Sequence, residues 1–205
     1  MKEKGKTLSE KKREDIVDAA KRAFQAFGVQ GTSMDKLAEM AEVSKRTVYN
    51  HFATKEDLVL HLLRDLWDRS MVQIDVEYRP DEPLDVQLDR LVEAEIELVS
   101  GPEFLGLARV AVGYFLYQPD KLQSEVEKFS AEETAFHRWL KAAIDDGRLK
   151  PMDLSLAVKQ LHNLVKGSCY WPQLLGYEPE LNTEEKKRLA DETVALFLSH
   201  YQIRS

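Results

Sequence analysis

Between residues 44 and 55 the chain gathers side chains suited to one chemistry. Ser44, Lys45, Arg46, Thr47, Tyr49, Asn50, His51 and Lys55 all fall in this stretch. From Lys45 to His51 every residue except Val48 can donate a hydrogen bond, which leaves only Val48 and Phe52 to face a core. Packing accounts poorly for a short helix with two apolar anchors and a polar remainder. Contacts to phosphate oxygens and to base edges account for it well, because they use cations, hydroxyls and side-chain amides. A solvated surface helix is the plainer alternative that these residues leave open.

Such side chains need a scaffold, and the periodicity supplies one. Ile16, Ala20, Ala23, Phe24 and Phe27 make one helical stripe, ended by Gly28. Met34, Leu37, Ala38 and Ala41 repeat it in a short second helix with Ser33 as N-cap. Ser44 caps a third helix over Lys45–His51. Two short helices separated by Ala41-Glu-Val-Ser44 have helix-turn-helix spacing, in which the second helix enters the DNA major groove. Thr54-Lys-Glu-Asp57 is an Asp variant of the capping box and opens a long fourth helix carrying Leu58, Leu62, Leu66, Met71 and Ile74.

Helical patterning continues to the end. Helices are expected from Pro83 and Pro102, each proline at a first helical position. Another runs over about 121–145, with a restart at Ser130-Ala-Glu-Glu133; one is capped by Asp153, and the last spans Thr183 to about Tyr201. No strand pattern and no internal repeat are evident. The fold class is therefore all-α: an N-terminal three-helix helix-turn-helix domain (1–53, ordered from about residue 10) and a C-terminal helical bundle (54–205).

In the bundle, two charges fall on faces otherwise built for burial. Glu95 lies in the middle of the Leu84, Leu88, Leu91, Leu98, Val99 stripe, and Arg109 is the one charge after Glu103 on a helix apolar nearly all round. A buried carboxylate needs a partner or a ligand. A structural Glu95–Arg109 pair, two side chains that snorkel to water, and a cavity lined by one or both are all open readings. Further side chains suited to an apolar pocket are Trp67, Met71, Phe104, Tyr114, Phe136, Trp139 and Cys169. His162 and Cys169 share a helix flank, where a thiol sensor competes with an inert buried cysteine. Leu189, Thr193, Leu196, Phe197 and His200 on the last helix, with Leu154, Val158, Leu161, Val165 and Ser168 on the penultimate one, make stripes suited to a two-fold four-helix interface.

Composition narrows the function. The 205 residues are 43% hydrophobic and 32% charged, enough for a real core. Residues 1–60 carry a net charge of +2 and the rest −9, a mildly basic head on an acidic body. Lys2, Lys4, Lys6, Lys11, Lys12 and Arg13 concentrate at the start, which suits a polyanion. A single cysteine excludes an internal disulfide and a multi-cysteine zinc site, and the five histidines lack ligand spacing, so no metal or cofactor is expected. Phosphate-loop, Gly-x-Ser-x-Gly and His-Glu-x-x-His motifs are absent, so an enzyme is not expected. The start is basic and polar, unlike a signal peptide. The most apolar stretch, Leu105–Leu116, is shorter than the ~20 residues a membrane span needs. A soluble cytoplasmic, nucleoid-associated protein with no membrane partner is expected.

The run Val43-Ser-Lys-Arg-Thr-Val-Tyr-Asn-His-Phe52, with Lys55-Glu56, resembles the TetR/AcrR family of transcriptional regulators, and the likeness extends from about Arg13 to Leu63. The resemblance implies an all-helical homodimer that binds palindromic double-stranded DNA operators and holds a small organic inducer in its C-terminal domain. It further implies that Thr32 and Ser33 begin the helix whose amides face a phosphate. Thr47, Tyr49 and His51 would contact backbone or bases, Lys55 would bind a phosphate, and Lys45 and Arg46 would carry specificity. One departure is Glu42, where the family usually has Gly in the turn; a positive φ there would carry a cost. The reading is a repressor released from its operator by a small amphipathic ligand. The alternative is an architectural or division-associated DNA-binding protein of the same fold that signals to a protein partner.

Overall fold

The computed structural model describes residues 7–72, 77–118, 120, 123 and 134–203. Ten helices form among them: α1 Leu8–Phe27, α2 Met34–Met40, α3 Lys45–His51, α4 Lys55–Val72, α5 Leu84–Ser100, α6 Pro102–Phe115, α7 Ala135–Asp145, α8 Leu154–Cys169, α9 Trp171–Leu175 and α10 Thr183–Tyr201. The one β feature among these residues is an isolated antiparallel bridge between Leu149 and Gln202. The chain is all-α, as its patterning implies.

Local chemistry sets the helix boundaries. Thr7 and Glu10 make a reciprocal capping box that starts α1 eight residues before its first core residue, Ile16. Ser33 caps α2 through the Lys36 amide, and Ser44 caps α3 through the Thr47 amide, each at 3.1 Å. Thr54 and Asp57 exchange backbone–side-chain bonds of 3.0 and 3.1 Å at the head of α4. Asp153 caps α8, and Asn182 with Glu185 forms a second full capping box on α10. Pro102 is the first residue of α6, whereas Pro83 stands one position before α5. The expected restart at Ser130–Glu133 lies outside the described residues; α7 is capped instead by Thr134.

The chain divides into two compact units, Met1–Leu66 with Gly106–Ser124, and Trp67–Leu105 with Glu125–Ser205. The first unit packs α1, α2 and α3 around Ile16, Ala20, Phe24, Leu37 and Val48, and Leu58, Val59 and Leu62 of α4 are buried with them. The early turns of α4 therefore go with the head, beyond the expected boundary at 53/54. α6 is amphipathic rather than apolar all round: Arg109, Gly113 and Leu116 are exposed. It comes so close to α1 that a Cβ on Gly106 would meet the Gln25 side chain.

In the second unit α5 packs on α10 and α8, with α7 and α9 against α8. Leu88, Leu91, Ile96, Phe136, Trp139, Leu161, Val165 and Phe197 form its core. The Arg79–Pro83 break is held from both sides. Buried Gln87 bonds Arg79 and Glu82 backbone atoms at 2.8 Å, and Arg148 Nη1 donates to the Pro80 and Glu82 carbonyls at 2.9 Å. The Asp146–Pro151 loop is thus a clasp, and Gly147, at φ +71°, gives it its turn.

Glu42 takes φ +54° in the turn between α2 and α3, alone among the described non-glycine residues. Left-handed backbone costs an L-residue roughly 1–2 kcal/mol. Glu42→Gly is expected to stabilise the protein by about 1 kcal/mol, somewhat less if the glycine's unfolded-state entropy counts in full. A urea melt with a lower midpoint than wild type would contradict this.

Candidate nucleic-acid interface

α3 presents its polar residues outward. Val48 is fully buried and Phe52 nearly so, while Ser44, Lys45, Arg46, Tyr49 and Asn50 are exposed and Thr47 and His51 half-buried. The expected division of this helix into two apolar anchors and a donor face is what the structure has. Ser44 Oγ and Thr47 Oγ1 lie 2.8 Å apart, which fixes both hydroxyls at the start of the helix. Lys45 Nζ sits 2.6 Å from Asp35 Oδ1 of α2, and that hydrogen-bonded carboxylate raises the lysine pKa. Both side chains are exposed, so the pair orients Lys45 more than it stabilises the fold. Arg46 and Asn50 project from the same face.

Lys55 bridges elements. Its ammonium donates to the Val29 carbonyl at 2.9 Å and to the Thr32 carbonyl at 3.4 Å, which ties the start of α4 to the α1–α2 turn. An ammonium has three protons, so one is left for an anion. Lys55, Ser33, Met34 and Tyr49 line one open cleft at the amino end of α2. A phosphate there would meet a cation, a phenol and the free amides of a helix start.

The Thr32 hydroxyl is engaged inside the fold, which leaves Thr32 the backbone role that the resemblance implies. The Thr32 side chain is 2% exposed, and its hydroxyl donates to the Gly28 carbonyl at 2.8 Å, with the Ala23 carbonyl at 3.3 Å. Burial and these acceptors commit it to closing the end of α1, and its hydroxyl cannot reach DNA. Arg13, counted with the basic start, is also committed. Its guanidinium lies over the Phe52 ring at 4.8 Å and donates to His61 Nε2 at 3.3 Å, stapling α1 to α4. The basic residues Lys2, Lys4 and Lys6 lie outside the described residues.

That staple makes the head sensitive to acid. Burial, and then the Arg13 charge, hold the His61 pKa below its ordinary value. In the neutral ring Nε2 is free to accept from Arg13, and protonation would set two cations against each other. An unfolded imidazole takes its proton near pH 6.5 and the folded one only at lower pH, so the unfolded state binds more protons in between. The stabilisation is complete above about pH 6.5 and is lost as pH falls through the folded value. The His61 ring resonances should titrate below pH 6.5, with head stability falling in step; a value above 6.5 would contradict the assignment.

The expected pocket residues divide between the units. Glu95, Phe136, Trp139 and Cys169 are buried in the core of the C-terminal unit, and Phe104 packs on it with its ring edge-on to Tyr170. Trp139 donates its indole N–H to Gln87 at 3.2 Å. Tyr114 and Arg109 belong to the other unit, where Tyr114 stacks edge-on against Phe115 and Arg109 is exposed. The side chains of Trp67 and Met71 lie outside the described residues. Within its own unit Glu95 has a partner in His162, whose Nδ1 lies 2.5 Å from Oε1. The thiol-sensor reading fails. Cys169 is fully buried, and burial pushes its pKa up to about 12, so the nucleophilic thiolate is not populated near neutral pH.

Among the described residues no three His, Cys, Asp or Glu side chains are placed to hold a metal ion, and no helix is long and apolar enough to cross a membrane.

The chain is similar to known proteins along most of its length. A model of the bacterial regulatory proteins of the tetR family matches residues 16–62, and one of the AefR-like transcriptional repressor C-terminal domain matches residues 86–203. The chain is similar to a solved TetR family transcriptional regulator from Pseudomonas syringae pv. tomato. The two are 39% identical with a TM-score of 0.84, over 96% of this chain and 100% of that one. The HTH-type transcriptional regulator SrpR of Pseudomonas putida is 24% identical over 164 residues, 79% of this chain and 75% of the relative. The fold is shared with a putative TetR-family regulator from Mesorhizobium loti, 24% identical with a TM-score of 0.74 over 97% and 100% of the two chains.

Proposed function

The chain belongs to the TetR family of transcriptional regulators, and from that membership we propose that it is a cytoplasmic, homodimeric repressor, released from a palindromic operator by a small amphipathic ligand. DNA binding and transcriptional regulation follow from the family. The observation that carries the proposal is the α3 donor face beside the Lys55 cleft, both set on a buried Val48–Phe52 anchor. Ser33, Ser44, Lys45, Arg46, Thr47, Tyr49, Asn50, His51 and Lys55 are the proposed contacts, with Thr32 acting through its backbone alone. Repression is supported by the AefR-like repressor domain that the C-terminal half matches.

The dimer is proposed on the outward faces of α8 and α10, where Leu156, Leu164 and Leu196 are exposed and Leu164 and Leu196 line a common cleft. The ligand is assigned to the C-terminal unit, among Glu95, Phe104, Phe136, Trp139 and Cys169. α4 and α6 each run from one compact unit into the other, which makes them the natural levers between ligand and head. A ligand acts only if it prefers the shape that misplaces the heads, since equal affinity for both shapes shifts nothing.

Two experiments test this. Selection from random duplex DNA should return an inverted repeat, and recovery of unrelated sequences would refute a palindromic operator. A thermal-shift screen should then find a compound that stabilises the protein, by about 2.7 kcal/mol at 100 times its dissociation constant. If no stabilising compound lowers operator occupancy, ligand release is refuted.

A further inference from the structure

The geometry points to Glu95 as the polar anchor of the ligand site, and to a ligand class: an uncharged aromatic molecule that donates a hydrogen bond from a hydroxyl such as a phenol. This rests on the proposal that the C-terminal unit binds a small molecule, and it goes further by naming the atom that selects the ligand.

Glu95 stands in the core stripe of α5, and its side chain is 4% exposed. One oxygen is occupied: Oε1 bonds His162 Nδ1 at 2.5 Å and lies 3.7 Å from Lys166 Nζ, both on α8. The other, Oε2, is buried and receives no hydrogen bond. Leaving a carboxylate oxygen dry and unpaired is costly, and a hydrogen-bond donor supplied by a ligand would remove that cost. The surroundings are aromatic. Phe136 of α7 meets the His162 ring edge-on at 5.3 Å, and Tyr170, which follows Cys169 at the end of α8, is edge-on to Phe104 at 6.1 Å.

The charges decide what kind of donor fits. Lys166 already faces Glu95, and a cationic ligand would have to approach this ammonium. Lys186, which also acts on the Cys169 thiol, is engaged by Glu97 at 2.9 Å. An anionic ligand would meet Oε2 itself. A neutral hydroxyl satisfies Oε2 and adds no charge. Access is provided by the two partly exposed members, His162 and Lys166, which lie on the solvent side of the buried carboxylate. A planar ligand that displaced the His162 ring would stack against Phe136 and bring its hydroxyl to Oε2.

Four naphthalene probes separate the possibilities: 2-naphthol, its methyl ether, 2-naphthoate and 2-naphthylmethylammonium. Binding is read by thermal shift and by naphthalene fluorescence, on full-length wild type, Glu95→Gln and Glu95→Leu. Wild type should bind 2-naphthol at least about tenfold more tightly than the methyl ether, the worth of a hydrogen bond to a charged acceptor. The preference should shrink in Glu95→Gln, whose amide is a weaker acceptor of unchanged size, and vanish in Glu95→Leu. Glu95→Gln guards against a misfolded Glu95→Leu, and the helical circular dichroism of each variant is compared with wild type.

Equal binding of naphthol and ether to wild type overturns the inference, as does a hydroxyl preference that survives in both variants. Tighter binding of the naphthoate or of the ammonium compound would assign the wrong charge to the site and overturn it too. The regulator proposal fails separately. A compound that releases operator DNA equally from wild type and Glu95→Leu removes Glu95 and leaves ligand release standing. Hydroxyl-selective binding that depends on Glu95 but never alters operator occupancy does the reverse.

Discussion

Arg46→Ala and Tyr49→Ala should each weaken operator binding by about 1–3 kcal/mol, ten- to a hundredfold or more, with no change in melting temperature. Both side chains are exposed on α3, whereas the residues that hold α3 in place, Val48 and Phe52, are buried, so recognition can be removed without touching the scaffold. The two losses should differ in kind. Arg46 is free to reach base edges, so its alanine variant should relax sequence preference at one position of each half-site. Lys55→Ala removes an ammonium whose remaining proton faces a cleft at a helix start, and it should weaken all sequences alike. Salt separates these cases. A dimer that neutralises about six phosphates should show a log–log slope near −5, and Lys55→Ala should flatten it by about one unit per half-site lost. Lys55 also ties the start of α4 to Val29 and Thr32, so some loss of stability should accompany its replacement. Gel shifts at several salt concentrations measure all of this. Unchanged binding in both Arg46→Ala and Tyr49→Ala would place the interface elsewhere.

The head was readable from sequence because its determinants are local. Ser33, Ser44 and Thr54 each act on an amide three residues away, and the Val48–Phe52 anchor spans only α3 and its C-cap. Even the positive φ of Glu42 could be anticipated from a glycine missing in a turn. The limits appear where a determinant is distant. Glu95 was visibly misplaced on its wheel, but a wheel assigns a face, not the neighbour that face meets. Its partner His162 stands 67 positions away and was read only beside Cys169 on its own helix. The helix of Arg109 reads as apolar nearly all round, yet α6 keeps one exposed face and the arginine lies on it, as the snorkelling alternative allows. Thr32 was placed by family position, and nothing local announced that Gly28 and Ala23 would take its hydroxyl.

The largest structural effect is expected from charges on the outer faces of α8 and α10. Val158, Leu161 and Val165 on α8, with Thr193 and Phe197 on α10, form the strongest stripes, but all five are buried within the subunit. Leu196 and His200 of the same α10 stripe are exposed, and α8 carries a second, weaker stripe in Leu156 and Leu164. Leu156 and Leu196 are more than half exposed and Leu164 is more than a third exposed, and Gln160, Asn163 and His200 join Leu164 and Leu196 around one cleft. A stripe that binds a second copy must interrupt its apolar residues with polar ones to stay soluble, which is why it reads faintly beside a core stripe. Leu164→Glu combined with Leu196→Glu should convert a dimer into a folded 23.6 kDa monomer, with the helical signal intact and operator affinity lost because two half-sites are no longer bound together. Phe197→Glu should act differently. Its ring is 3% exposed and packs on Tyr201 at 4.6 Å between centroids. Removing a buried phenylalanine costs about 3–5 kcal/mol before any penalty for the buried charge. Total stabilities are of the order of 5–15 kcal/mol, so this variant should unfold or aggregate rather than yield clean monomers. Sedimentation velocity with circular dichroism distinguishes the outcomes. A Leu164→Glu, Leu196→Glu protein that still sediments as a dimer would refute an interface on these faces, and a folded, monomeric Phe197→Glu would return the interface to the inner stripe.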